Sequence, residues 1–247
     1  MRLSAFTAAL IWWAWTGVAW ATTCETRTFE NVPFSFCRVD AQTDAVRLFL
    51  YDSEGAVLGQ FSAIDEALAA EGLRLSFAMN AGMYHPDRRP VGYYVEDGRE
   101  AQQLMTRAGP GNFGLLPNGV FCARSGRLDV IETLTFQKVA PVCDFASQSG
   151  PMLVIDGALH PRFLESGTSK FIRNGVGTTS DGQAAVFVMS DAPVNFHTFA
   201  RFFKDVLKLP QALYFDGNIS RLYAPELDRK DFGFSLGPIV GTVVPLP

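Results

Sequence analysis

Residues 212–223, Ala212-Leu-Tyr-Phe-Asp-Gly-Asn-Ile-Ser-Arg-Leu-Tyr223, constrain the fold more than any other stretch of this chain. The apolar run 212–215 is too short for a helix, contains two aromatics, and follows a strongly helical segment. It therefore predicts a buried strand that enters a sheet directly from a helix. The run stops at Asp216. A carboxylate at the end of a buried strand, followed by Gly217, Asn218 and Ser220, places an acid and two small polar side chains around a sharp turn, a plausible floor for a site. The same pair also reads as a type I′ hairpin turn, as do Asp97-Gly98, Asp156-Gly157 and Asp181-Gly182.

The helix that feeds this strand is expected over residues 194–209. Phe196, Phe199, Ala200, Phe203, Val206 and Leu207 recur at helical spacing, with Arg201, Lys204, Asp205 and Lys208 mostly opposite. His197 reads as packed or solvated. A second helix is expected to open on a capping box at Ser62-Ala-Ile-Asp65, to run through Ile64, Ala67 and Leu68, and to end near Gly72. Elsewhere the pattern is β: strands at 46–51, 73–79, 91–96, 118–121, 128–136, 184–189 and 237–244, joined by turns such as Asp52-Ser-Glu-Gly55. No linker-like or low-complexity block interrupts it. The expected class is α+β, a single domain with a mixed, largely antiparallel sheet and a few packed helices.

Residues 1–21 read as a signal peptide. Arg2 forms a short basic region, residues 5–21 are almost wholly apolar, and Ala19-Trp-Ala21 fits the small-x-small cleavage rule. The apolar run is interrupted by Thr7, Thr16 and Gly17 and falls short of the roughly 20 residues that span a bilayer, so no membrane span is expected after cleavage. Thr23 ahead of Cys24 argues against a lipoprotein. Export implies a periplasmic or secreted protein, and losing Arg2 takes the formal charge from -4 to -5. An acidic balance with no basic cluster excludes nucleic acid as a partner. Cys24, Cys37, Cys122 and Cys143 all survive cleavage. An even count in an exported chain predicts disulfides, and Cys24–Cys37 with Cys122–Cys143 closes the shortest loops. No cysteine pair has Cys-x-x-Cys spacing and no histidine lies near a cysteine, which disfavours zinc. No motif requires a cofactor.

Three further stretches carry chemistry. Asn80-Ala-Gly-Met-Tyr84 puts an amide and Gly82 at the exit of a strand, where binding groups and ordinary turns both occur. In Ser149-Gly-Pro-Met-Leu153, backbone amides near Ser149 and Gly150 are open to a phosphate, or the proline simply starts a strand. Arg173-Asn-Gly-Val-Gly177 embeds an arginine among apolar and glycine neighbours, so Arg173 is either a phosphate clamp or half of a structural ion pair. The loop Gly109-Pro-Gly-Asn-Phe-Gly114 lacks the Lys-Ser/Thr ending and helix context of a P-loop, and His85-Pro-Asp87 reads as a surface loop.

These stretches, in this order, resemble the phosphodiester glycosidase family, which includes the lysosomal enzyme that removes N-acetylglucosamine from a phosphodiester and many exported bacterial relatives. The resemblance covers most of residues 22–247. Asn80 and Gly82 match the family's Asn-Gly-Gly-Phe-type motif, and Ser149 and Gly150 match its small-Gly-Pro loop. Arg173 and Gly177 match its Arg-x-x-x-Gly element, and Asp216, Gly217 and Ser220 its Asp-Gly-Gly-x-Ser signature. Ala81 and Asn218 stand where the family has glycine. The resemblance implies hydrolysis of a sugar-1-phosphodiester in envelope or extracellular glycans such as exopolysaccharide. Asp216 and Arg173 would be catalytic, and Asn80, Gly82, Ser149, Gly150, Gly177, Gly217, Asn218 and Ser220 would bind substrate. A non-catalytic protein that binds such glycans through the same cleft is the alternative.

Overall fold

The strand expected at 212–215 runs Gln211–Asp216, flanked on both sides inside a seven-stranded sheet. The computed structural model describes residues 22–247, so the expected signal peptide lies outside the described residues. In the first sheet the order is Thr23–Phe29, Val32–Asp40, Ala184–Ser190, Asn174–Thr178, Gln211–Asp216, Met152–Ile155, Ala158–Leu159. A second, five-stranded sheet is ordered Arg229–Lys230, Leu222–Ala224, Leu73–Asn80, Ile239–Pro245, Ala45–Phe49, and a third Arg99–Gln102, Tyr94–Glu96, Phe145–Ser149, Gly119–Arg124, Arg127–Glu132. Every strand pairing among the described residues is antiparallel. The chain is a mixed α+β single domain.

The three sheets meet around four phenylalanines. Phe187 and Phe215 come from the first sheet, Phe77 from the second and Phe121 from the third, with ring centroids 5.1 to 6.5 Å apart, and all four are fully buried. Such aromatic clusters supply more buried apolar area per residue than aliphatics and hold their geometry by edge-to-face packing. The outer face of the first sheet is covered by the helix expected at 194–209. It is shorter than its periodicity suggests: Asn195 caps it by accepting from the Thr198 amide at 2.9 Å, it runs Phe196–Arg201, and it then widens into a π-helical turn at Phe202–Val206. Phe199, Phe202 and Phe203, spaced i, i+3 and i+4, share the face that packs on the sheet and are all buried.

Two local expectations are corrected. The helix Phe61–Ala69 begins at Gln60 with no side-chain cap, and Asp65 accepts instead from the Leu75 amide at 2.8 Å, which ties the helix to the next strand. Residues 133–136, read as the end of a strand over 128–136, belong instead to the helix Thr133–Val139, because the Glu132 carboxylate accepts from the Leu134 and Thr135 amides and Ala140 stops it in the left-handed conformation. The cysteines pair as the loop lengths favoured. Cys24–Cys37 joins directly opposed residues of adjacent strands, and Cys122–Cys143 ties the third sheet to the segment after that helix.

In the third sheet, burial pushes Glu96 from the ordinary 4.5 up to about 7, against the Tyr94 hydroxyl at 2.7 Å and the Leu50 amide, which favour the ionised form. A carboxyl group whose pKa is raised on folding stabilises the fold fully below its unfolded pKa, and that contribution is lost as pH climbs through its folded pKa. Stability should therefore fall by on the order of 1–2 kcal/mol, allowing for solvent screening, as pH rises from the acid side of 4.5 to above 7. Glu96→Gln should flatten that slope in denaturant titrations across the interval, and an unchanged slope would remove Glu96 as its source.

Candidate functional site

The strand Gln211–Asp216 ends in the first sheet, whereas the chain resumes at Leu222–Ala224 in the second. Asp216-Gly217 therefore closes no hairpin. Asp97-Gly98 and Asp156-Gly157 do have the two positive φ angles of a type I′ turn, but neither Asp216 nor Gly217 does. Glycine is needed at 217 for another reason: a Cβ there would lie 2.1 Å from the Tyr214 hydroxyl. Residues 217–221 thus form a crossing between sheets, with a carboxylate at its start.

The crossing is held by buried amides. Asn174, in the strand beside Asp216, donates to the Asn80 carbonyl at 2.7 Å, while its Oδ1 accepts from Asn80 Nδ2 at 3.2 Å and from the Asp216 amide at 3.1 Å. Asn80 Nδ2 also donates to the Ile219 carbonyl at 2.8 Å, and Asn80 Oδ1 accepts from the Arg221 amide at 3.0 Å. Ser220 donates to the Ile172 carbonyl at 3.0 Å. The two asparagines are fully buried, so Asn80 orients the loop and has no polar atom left for a sugar hydroxyl.

Asp216 opens onto a cleft of about 530 Å³ whose wall includes Tyr84, Asn112, Phe113, Phe171, Tyr214 and Asn218. It is the single acidic side chain among the described residues lining that cleft. Its Oδ1 accepts from the Gly217 amide at 2.6 Å and the Asn218 amide at 3.0 Å, and Oδ2 has no protein partner among the described residues. Burial raises the Asp216 pKa above 3.8, and the two amides oppose that shift. Tyr214 is raised as well, by burial first and then by Asp216, with Arg173 acting against it. The glycine-rich loop 109–114 is no P-loop, yet it forms one wall through Pro110, Gly111, Asn112 and Phe113.

Arg173 lies behind this wall. It is fully buried, and its guanidinium donates to the carbonyls of Val194 (2.9 Å) and Ser169 (3.0 Å) and to the Tyr214 hydroxyl (3.2 Å). It also stacks 3.7 Å from the centroid of Phe196. No carboxylate pairs with it among the described residues, so it is not half of an ion pair, and it stands behind the residues that line the cleft. Burial lowers its pKa, and Tyr214 opposes the shift.

The remaining expected binding residues divide in the same way. Gly217 and Asn218 line the cleft. Ser149 is buried and donates to the Phe215 carbonyl at 2.9 Å, supporting the strand end from below. Close packing accounts for the glycines: a Cβ on Gly150 would meet Asn118 at 2.6 Å, on Gly82 the Ser147 hydroxyl at 2.9 Å, and on Gly177 the Phe203 and Leu209 side chains at 2.8 Å. Sequence reasoning did not single out Asn174, Tyr84, Tyr214 or Arg221. Each lies inside a stretch it quoted, and an amide next to an arginine among apolar neighbours was the available signal for Asn174. Among the described residues no three His, Cys, Asp or Glu side chains gather as a metal site, and no helix is long and apolar enough to cross a membrane.

The model of the phosphodiester glycosidase family matches residues 74–232, which contain every element of this site. An Escherichia coli K12 protein with the name "Uncharacterized protein YigE" is 36% identical over 185 residues, covering 75% of this chain and 72% of that protein. Among solved structures, the zebrafish N-acetylglucosamine-1-phosphodiester alpha-N-acetylglucosaminidase catalytic domain, auto-inhibited by its pro-peptide, superposes with a TM-score of 0.59 at 12% identity, over 90% of this chain and 81% of that one. A hypothetical protein from Synechocystis gives 0.57 at 11% identity, over 91% of this chain and 62% of that one. At these identities the two structures share the fold.

Proposed function

We propose that this chain, which belongs to the phosphodiester glycosidase family, is an exported hydrolase that releases a sugar from a sugar-1-phosphodiester in envelope or extracellular glycans. Family membership supports glycosidase-type hydrolysis. The substrate rests on one observation, that the cleft holds a single carboxylate. Glycosidases acting on ordinary glycosides need two carboxyl groups, one to protonate the departing oxygen. A phosphate leaves without that proton, so one acid suffices. In this reading the bond from the anomeric carbon to the phosphate oxygen breaks, the electron pair leaves with the phosphate, and water supplies the new hydroxyl and releases its other proton to solvent. Asp216, through Oδ2, meets the positive charge that develops at the anomeric carbon. Phe171, Tyr84 and Phe113 offer apolar faces to the sugar.

Arg173 holds Tyr214 in the cleft wall, and Asn80, Asn174, Ser149 and Ser220 hold the loop that carries Asp216. Two disulfides suit an oxidising compartment, in line with removal of residues 1–21 and a periplasmic or secreted location. The test is to incubate residues 22–247 with a panel of sugar-1-phosphodiesters and assay free sugar. Release from at least one member is expected; binding across the panel with no release would identify a glycan-binding protein instead.

A further inference from the structure

Linked to Asp216 through the buried amides of Asn80 and Asn174 lies a set of polar atoms that nothing among the described residues satisfies. Arg221 is 4% exposed, and its Nη1 donates to Gln60 Oε1 at 3.0 Å. Its Nε and Nη2 are buried with no partner among the described residues, and so is the Tyr84 hydroxyl. No carboxylate pairs with Arg221 among the described residues. Asp231 acts on that charge through space without pairing with it, and buried donors without acceptors are rare in folded proteins. The unpaired atoms are also the right ones for an oxyanion: Nε and Nη2 share the edge through which arginine grips two oxygens of a phosphate side-on.

The two side chains lie under one short segment, residues 231–237. A Cβ on Gly233 would lie 3.9 Å from Arg221 Nη1, and a Cβ on Gly237 would lie 2.5 Å from the Tyr84 ring. Arg221 is joined to the carboxylate's strand through its amide on Asn80, Asn80 on Asn174, and Asn174 on the Asp216 amide. Tyr84 lines the cleft with Asp216. Electrostatically the hydroxyl stands between them: burial raises its pKa first, Asp216 raises it further, and Arg88 and Arg221 lower it.

We infer that the Nε–Nη2 edge of Arg221 and the Tyr84 hydroxyl form an oxyanion subsite that takes the phosphate of the substrate, next to the sugar position at Asp216. The assignment rests on the hydrolase reading for its ligand, but the subsite is measurable without turnover. Neither buried arginine lines the cleft itself, and they differ in their partners: each guanidinium nitrogen of Arg173 has an acceptor among the described residues, whereas Nε and Nη2 of Arg221 have none and meet the cleft through Tyr84.

The experiment is calorimetric titration of the folded chain with inorganic phosphate and with a sugar 1-phosphate, alongside acetate, for the parent and for Tyr84→Phe and Arg221→Gln. Tyr84→Phe removes only an oxygen that has no hydrogen-bond partner among the described residues, so its fold and melting temperature should be retained. Phosphate affinity should fall about fivefold to tenfold in Tyr84→Phe and about a hundredfold in Arg221→Gln, from the usual strength of charge-assisted bonds. Phosphate should also protect the parent from thermal unfolding more than it protects either variant. Equal phosphate affinity in parent and Tyr84→Phe, or acetate binding as well as phosphate, would overturn the subsite, even if the parent releases sugar. Phosphate binding lost in both variants, with no sugar released from any diester, would keep the subsite and reject the hydrolase.

Discussion

Asp216→Asn is expected to slow sugar release by about a thousandfold while leaving substrate affinity within about threefold, the pattern of a group whose interaction is made chiefly in the transition state. The substitution is conservative for the fold. An asparagine Oδ1 still accepts from the Gly217 and Asn218 amides, and the amide that replaces Oδ2 enters a position with no protein partner among the described residues. Stability at neutral pH should not drop, because burial already raises the Asp216 pKa and so disfavours its charged form. The pH profile supplies an independent reading. The carboxylate must be ionised to act, so kcat/KM should rise with pH through a value above the ordinary 3.8, and Asp216→Asn should lose that limb. Parent-like turnover in the variant would end the catalytic assignment, and binding equal to the parent with no release in either would point to a glycan-binding protein.

The parts of this fold that could be read from sequence are those decided by local chemistry. The strand at 211–216 follows from a short aromatic run after a helix, and the two disulfides follow from loop length. The helix Thr133–Val139 was hidden because its cap, Glu132, also ends a strand, so one residue serves two elements. Asp216-Gly217 could not be told from a hairpin turn, since the difference lies in which sheet the chain enters next. The same limit applies to the amide knot: Asn80 and Asn174 are 94 residues apart, and their partnership exists only once two sheets are in contact. The resemblance in the motifs did bring Asn80, Arg173, Asp216 and Ser220 into one neighbourhood. It could not say which of them faces the cleft. Arg173 shows why: its acceptors are main-chain carbonyls and aromatic faces, which have no signature in side-chain chemistry.

Arg173→Lys should consequently act on the fold first and on activity second. Lysine keeps the charge but presents one compact ammonium where arginine places three donors at fixed angles, on Val194, Ser169 and Tyr214, and lays a flat face on Phe196. At least one carbonyl and the Tyr214 hydroxyl would be left short in a fully buried setting. Stranding buried polar groups around a charge costs about 2–4 kcal/mol, which in a chain of this size lowers the melting temperature by roughly 5–15 °C. Loss of turnover should follow from a displaced Tyr214 and should scale with the fold's disturbance, and saturating phosphate should not rescue it. A residue gripping the substrate directly would behave differently. The melting temperature would hold, phosphate affinity would fall, and the lysine variant would retain part of it. Thermal unfolding and phosphate titration on one preparation therefore separate the two roles, and an unchanged melting temperature with weakened phosphate binding would return Arg173 to the cleft and take the oxyanion from Arg221.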